Sequence, residues 1–129
     1  MGAAVLIVED EILVALQIED ILSDAGHHVI GIIPDNAALG DLRDAPQVAL
    51  VDLNLRDGPT GPSIARKLSE VFGTKIVYVT ANPSMIGEPP PTAIGVIQKP
   101  FSQAAILASI SCALDDAEFP SEMERIVQI

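Results

Sequence analysis

Five polar side chains stand directly behind apolar runs in this sequence. Glu9 and Asp10 follow residues 3–8, Asp52 follows 48–51, Thr80 follows 75–79, and Lys99 lies two positions beyond 94–97. Three carboxylates gathered within a few ångströms of one another repel and lose solvation, so some would protonate unless a cation lay among them. Lys99 offsets only one of the three charges. A hard divalent ion, Mg2+ above all, accepts carboxylate and carbonyl oxygens while keeping several waters. A carboxylate flanked by such an ion and an ammonium is equipped to attack a phosphoryl group. The metal and Lys99 would then neutralise the equatorial oxygens, and the Thr80 hydroxyl would donate a hydrogen bond to one of them. Asp52 is the nucleophile in that arrangement.

For these groups to meet, the apolar runs must be neighbouring strands whose carboxyl ends share one edge. Residues 3–8, 29–33, 48–51, 75–79 and 94–97 read as five short strands, buried on both faces. Between them the period changes to that of helices. Residues 12–25 predict a helix with Leu13, Leu16, Ile21 and Leu22 on its buried stripe and Gly26 as its stop. Asp35 predicts the N-cap of a short helix over 36–42. Gly61-Pro62-Ser63 opens a helix whose apolar face is Ile64, Ala65, Leu68 and Val71, ended by Phe72-Gly73. Ser102 caps a last helix to about residue 117, with Ile106, Leu107, Ile110 and Leu114 inward. Alternating strands and helices imply right-handed crossovers and an α/β doubly wound parallel sheet, flavodoxin-like (βα)5 in the order 2-1-3-4-5. The switch point of that order lies between the first and third strands, which brings Glu9 and Asp10 beside Asp52. Residues 81–93 break the pattern. Pro83, Gly87, Pro89, Pro90 and Pro91 predict a fourth helix that is truncated or irregular.

The bulk properties set limits on function. The chain has 129 residues, 49% of them hydrophobic and 19% charged, the composition of one globular domain. No apolar run approaches the roughly 20 residues that span a bilayer, and the start of the chain has no secretory n-region. Cys112 is the single cysteine and reads as a small apolar residue of a cytoplasmic protein. His27 and His28 lack companions at ligand spacing and read as solvated turn residues. The net charge of −11 disfavours nucleic acid and anionic membrane as partners. Basic protein surfaces and hard cations remain open.

Val8-Glu9-Asp10-Glu11, Val51-Asp52-Leu53-Asn54-Leu55 with Asp57-Gly58, Val79-Thr80-Ala81 and Lys99-Pro100-Phe101 together resemble the CheY-like receiver domains of two-component response regulators. The resemblance covers residues 4–117. It implies that Asp52 accepts a phosphoryl group from a sensor histidine kinase or a histidine phosphotransfer protein. It implies that Glu9, Asp10, Asp52 and the main-chain carbonyl of Asn54 bind Mg2+, and that Thr80 and Lys99 contact the phosphoryl oxygens. Such a protein is a single-domain phosphorelay member or interaction switch with a downstream protein target. It is not a conventional enzyme, although it promotes its own phosphorylation and dephosphorylation. In the family, the residues matching Asn54 and Asn82 influence the lifetime of the phosphorylated state, and the bond matching Lys99–Pro100 is commonly cis.

Two positions depart from the family pattern. An aromatic residue usually stands three before the lysine and swings inward when the threonine moves to the phosphate; here that position is Val96. Tyr78, on the preceding strand, cannot simply substitute. The proline-rich segment alters the usual signalling surface, which points to an atypical output or an atypical homodimer. Beyond a receiver domain at 1–117, residues 118–129 carry Met123, Ile126, Val127 and Ile129 at near-helical spacing. This tail either extends the last helix or forms a docking or dimer-forming segment. No effector domain follows, so a stand-alone receiver is expected. The rival reading is a degenerate receiver that binds proteins without phosphorylation. A haloacid-dehalogenase-type phosphatase wants an acid where Asn54 stands. A flavin or dinucleotide site wants an anion-binding loop where Glu9-Asp10-Glu11 would repel phosphate.

Overall fold

The computed structural model describes residues 2–114 and the backbone of 123–125. Five parallel strands, β1 (Ala4–Val8), β2 (His28–Ile33), β3 (Val48–Val51), β4 (Lys75–Thr80) and β5 (Ala93–Gln98), lie in the order 2-1-3-4-5. Three α-helices join them: α1 (Ile12–Asp24), α2 (Gly61–Phe72) and α3 (Gln103–Ala113). This is the flavodoxin-like receiver fold. The central strands read as unbroken apolar runs because helices cover both faces, and β3 is buried at all four positions.

Alternate residues of each strand feed two cores. Val5, Ile7, Leu50, Val77, Val79 and Ile97 pack beneath α1 and α3 on one face. Leu6, Val8, Ala49, Val51, Ile76 and Tyr78 pack beneath α2 on the other. Each fully buried Leu or Ile side chain contributes roughly 1.5–3 kcal/mol.

The second face is thinner than the first. The expected helix over 36–42 is a single 3-10 turn at Ala37–Asp41, and Asp35 caps it as predicted, with Oδ1 accepting from Ala38 N–H at 2.9 Å. The proline-rich segment likewise forms one 3-10 turn, Pro83–Met85, in place of a fourth helix. The shortened cover leaves Val71 70% exposed, although its spacing puts it on the apolar face of α2.

The stripe of α1 also differs from expectation. Ala15, Ile18, Ile21 and Leu22 are buried, whereas Leu13 and Leu16 are 79% and 42% exposed. At about 100° per residue, Leu13 and Leu16 fall on the side of the helix opposite Ile18. Apolar residues surround most of α1, so periodicity alone chose the wrong pair.

The last helix begins as predicted, with Ser102 Oγ accepting from Ala105 N–H at 3.0 Å, and ends at Ala113. Part of the tail is extended rather than helical. Met123–Arg125 forms a sixth strand, β6, antiparallel to β5, with Gly95 opposite Arg125 and Ile97 opposite Met123. The open edge of β5 offers unpaired backbone groups that a short strand satisfies. The rest of the tail, including Ile126, Val127 and Ile129, and the expected last turn over 115–117 lie outside the described residues.

Tyr78 lies in register with Val96 on the adjacent strand. Its ring is wholly buried, and its hydroxyl has no hydrogen-bond partner among the described residues. The aromatic volume expected on β5 is thus supplied from β4, beside a smaller side chain. Burial also pushes the Tyr78 phenol up to about 12. An unpaired buried hydroxyl costs free energy that a phenyl ring does not. Tyr78→Phe should therefore leave stability unchanged or raise it by up to about 1 kcal/mol in urea unfolding. A loss of stability would mean that the hydroxyl has a partner in solution.

Candidate functional site

The sheet hydrogen-bonding pattern runs one residue past several strand ends, and this fixes the backbone of the site. Asp52 N–H donates to Val8 O at 2.9 Å, Glu9 N–H to Ile33 O at 3.0 Å, and Lys99 N–H to Thr80 O at 2.9 Å. Glu9, Asp52 and Lys99 consequently reach the same edge on β1, β3 and β5. The Lys99–Pro100 peptide bond is cis. Beyond Asp52 the loop is anchored by Leu53 and Leu55, both buried, while Asn54 between them is exposed.

Lys99 holds the carboxylates together. Its Nζ donates to Glu9 Oε1 at 2.6 Å and to Asp52 Oδ2 at 3.1 Å. Asp52 Oδ1 accepts from Leu53 N–H at 2.7 Å. Glu9 Oε2 accepts from the N–H groups of Asp10 and Glu11 at 3.1 and 3.3 Å. Glu9 is 3% exposed. Burial, helped by the Asp52 charge and opposed by Lys99, pushes its carboxyl up to about 7. Burial works against the Lys99 ammonium, but the two carboxylates outweigh it and hold its pKa above the ordinary value.

Carboxylate oxygens of Glu9, Asp10 and Asp52 lie within 4.8 Å of one another. Three hard oxygen donors facing a single ammonium suit a divalent cation of the Mg2+ type. Glu9 is the most committed of the three, because Lys99 and two backbone N–H groups already use its oxygens. Asp10 is exposed, with no such engagement. Asn54 lines the same cleft, a volume of about 280 Å3, with Asp10, Asp52, Asn82 and Lys99.

Thr80 stands at the end of β4 as predicted but outside this cluster. It is wholly buried, and its Oγ1 accepts from Asn82 N–H at 3.0 Å. Its carbonyl accepts from Lys99 N–H, but among the described residues its hydroxyl makes no hydrogen bond to Asp52 or to the Lys99 ammonium. The site therefore brings together Glu9, Asp10, Asp52, Asn54 and Lys99, with the Thr80 backbone bonded to Lys99 and its hydroxyl turned to Asn82 N–H.

One residue of the site was read from sequence only as a helix opener. Gly61 N–H donates to Leu53 O at 3.1 Å, and a Cβ on Gly61 would lie 2.1 Å from Asp52 O and 2.6 Å from Leu53 Cα. The first turn of α2 thus presses on the backbone that aims Asp52. Spacing could not show this, since the contact follows from how α2 packs back on β3. A second device ties the same loop to the end of β2. Arg56 donates through Nε and Nη2 to Asp35 Oδ2, Asp57 accepts from Asn36 N–H at 3.1 Å, and Thr60 Oγ1 donates to Asp57 Oδ1. The Arg56 guanidinium holds the Asp35 carboxyl below the usual range, and the Thr60 hydroxyl does the same for Asp57.

No family model matches the chain. Among solved structures, the receiver domain of Erythrobacter litoralis PhyR is 29% identical and superposes with a TM-score of 0.79, covering 93% of this chain and 95% of that domain. This chain has the receiver fold and is similar to response regulator receiver domains. The phyllosphere-induced regulator PhyR of Methylorubrum extorquens is 34% identical over 119 residues, 88% of the receiver and 44% of that regulator. The receiver thus spans less than half the length of the curated relative it matches. PhyR of Bartonella quintana, described as an anti-anti-sigma factor, is 29% identical with a TM-score of 0.73, over 89% of the receiver and 48% of that chain. Receiver domains are signalling modules rather than classical enzymes. Among the described residues of the receiver, no helix is long and apolar enough to cross a membrane.

Two measurements check this geometry. Gly61→Ala should cost about 2–4 kcal/mol in urea unfolding, because backbone rather than a flexible side chain blocks the added methyl. The second concerns pH. Glu9 titrates near 4.5 when unfolded and about 7 when folded, so the folded chain binds the extra proton between those values. The stability that this proton confers is fully present below that window and lost as pH rises through it. In chelator, the melting temperature should fall from pH 5 to 7.5, by the equivalent of about 1–3 kcal/mol. Glu9→Gln should flatten that slope.

Proposed function

We propose that the receiver takes a phosphoryl group on Asp52 from a phosphohistidine donor and returns it to water, acting as a phosphorelay member or protein-interaction switch. The observation that carries this reading is the Asp52 carboxylate, fixed by Leu53 N–H and Lys99 Nζ with the Asp10 and Glu9 carboxylates beside it. Asp52 Oδ2 attacks phosphorus in line, the P–N bond to the donor imidazole breaks, and the electron pair leaves on that nitrogen. Lys99 offsets charge on the transferred oxygens, and the Thr80 hydroxyl, freed from Asn82 N–H, donates to one of them. Glu9, Asp10, Asp52 and the Asn54 carbonyl would hold Mg2+, which would supply further neutralisation of charge at the site. Phosphorylation adds nearly two negative charges to an edge where anions already crowd, and that charge drives the change in loop positions.

The donor, a sensor histidine kinase or histidine phosphotransfer protein, is proposed to dock on the start of α1. Glu11 lines the cleft, and Ile12, Leu13 and Leu16 next to it are exposed. In keeping with relatives described as regulators and as an anti-anti-sigma factor, the output is contact with a protein target in the cytoplasm. The net charge of −11 suits a basic face on that target. Val96 and the engagement of the Thr80 hydroxyl with Asn82 N–H favour a second reading, a binding module that no longer needs phosphate.

Labelling decides between these readings. Acetyl phosphate with Mg2+ should add one phosphoryl group to the wild type, and Asp52→Asn or chelation should abolish it. An unlabelled wild type leaves only the binding-module reading. The double variant Leu13→Ala/Leu16→Ala should label normally with acetyl phosphate. Its phosphotransfer from a cognate kinase should slow about tenfold, the equivalent of ~1.4 kcal/mol of docking.

A further inference from the structure

The single turn that replaces a fourth helix brings Met85 back to the phosphoacceptor loop. Asn54 Nδ2 donates to Met85 Sδ at 3.6 Å, joining the loop after β3 to the loop after β4. Asn54 lines the cleft that holds Asp52, and both partners of this contact are exposed, Met85 to 44%. Core packing therefore does not account for it. An N–H to thioether contact is weak, so it adds little stability and acts on where the amide rests.

We propose that Met85 is a positioning residue that holds the Asn54 amide at the rim of the cleft and slows hydrolysis of the aspartyl phosphate. The inference rests on the phosphoacceptor reading of Asp52. In that hydrolysis, water adds to phosphorus and the bond between phosphorus and the Asp52 oxygen breaks. The electron pair stays on the carboxylate, and the water protons leave with the product as dihydrogen phosphate. In-line geometry requires the water to arrive opposite the leaving oxygen, from the open side of the cleft. Asn54 lines that cleft, and Met85 meets it through the Asn54 amide. The thioether occupies one amide hydrogen that would otherwise bind and orient a water, and its methyl and methylene groups take up space that water would fill. A flexible, weakly accepting side chain restricts approach without sealing the cleft.

The test uses the full chain, phosphorylated with acetyl phosphate and Mg2+ and freed of donor, with decay followed by intact mass. Met85→Ala should lose its phosphoryl group at least about threefold faster than wild type, with an unchanged melting temperature. Met85→Leu, which keeps bulk but not sulfur, should decay at an intermediate rate. Decay of Met85→Ala at the wild-type rate overturns the proposal, as does Met85→Leu decaying no more slowly than Met85→Ala. A fall in melting temperature matching the faster decay overturns it too, since the turn would then be merely structural. A wild type that takes up no phosphoryl group overturns the phosphoacceptor reading itself, and the role of Met85 with it.

Discussion

The ammonium of Lys99 lies 2.6 Å from Glu9 Oε1 and 3.1 Å from Asp52 Oδ2, and so fastens the ends of β1, β3 and β5 to one another. Without it, the carboxylates of Glu9, Asp10 and Asp52 would face each other with nothing opposite. Even with it, burial of Glu9, the most buried of the three, together with the Asp52 charge pushes its carboxyl up to about 7 against the pull of Lys99. The site is thus held in a state that calls for a further cation or for fewer negative charges. A cation among these carboxylates would relieve that repulsion.

The loop that carries Asp52 is held from two directions. From below, Leu53 and Leu55 are buried in the core and Gly61 packs against the backbone at Asp52 and Leu53. From the side, Asp35, Arg56, Asp57 and Thr60 lace the loop to the end of β2. What remains free to adjust is the rim: Asn54, Asn82 and the turn carrying Met85.

The other departures gather on one side of the molecule. Tyr78 fills the space beside Val96, the Pro83–Met85 turn replaces a helix, and β6 pairs with β5. Each changes the surface around β4 and β5 without touching the acidic cluster. The same fold therefore keeps its carboxyl-edge cluster while its surface around β4 and β5 is altered.

The order of the strands, the carboxyl-edge placement of Glu9, Asp10, Asp52, Thr80 and Lys99, and the broken fourth helix were all legible in the sequence. Apolar runs ending in polar residues, together with prolines, are local signals, and the rules of parallel sheets turn them into one arrangement. Other features were decided only by tertiary structure. Leu13 and Leu16 are exposed because α1 is apolar nearly all round, so its buried side is chosen by how it meets the sheet. Gly61 is a positioning residue because α2 folds back on β3, which spacing along the chain does not encode. Met123–Arg125 is a strand because an open edge of β5 was there to pair with. The sequence by itself determined which groups reach the site. The packing of helices and loops on the sheet decided how each is held there, because that depends on contacts between residues far apart in the chain.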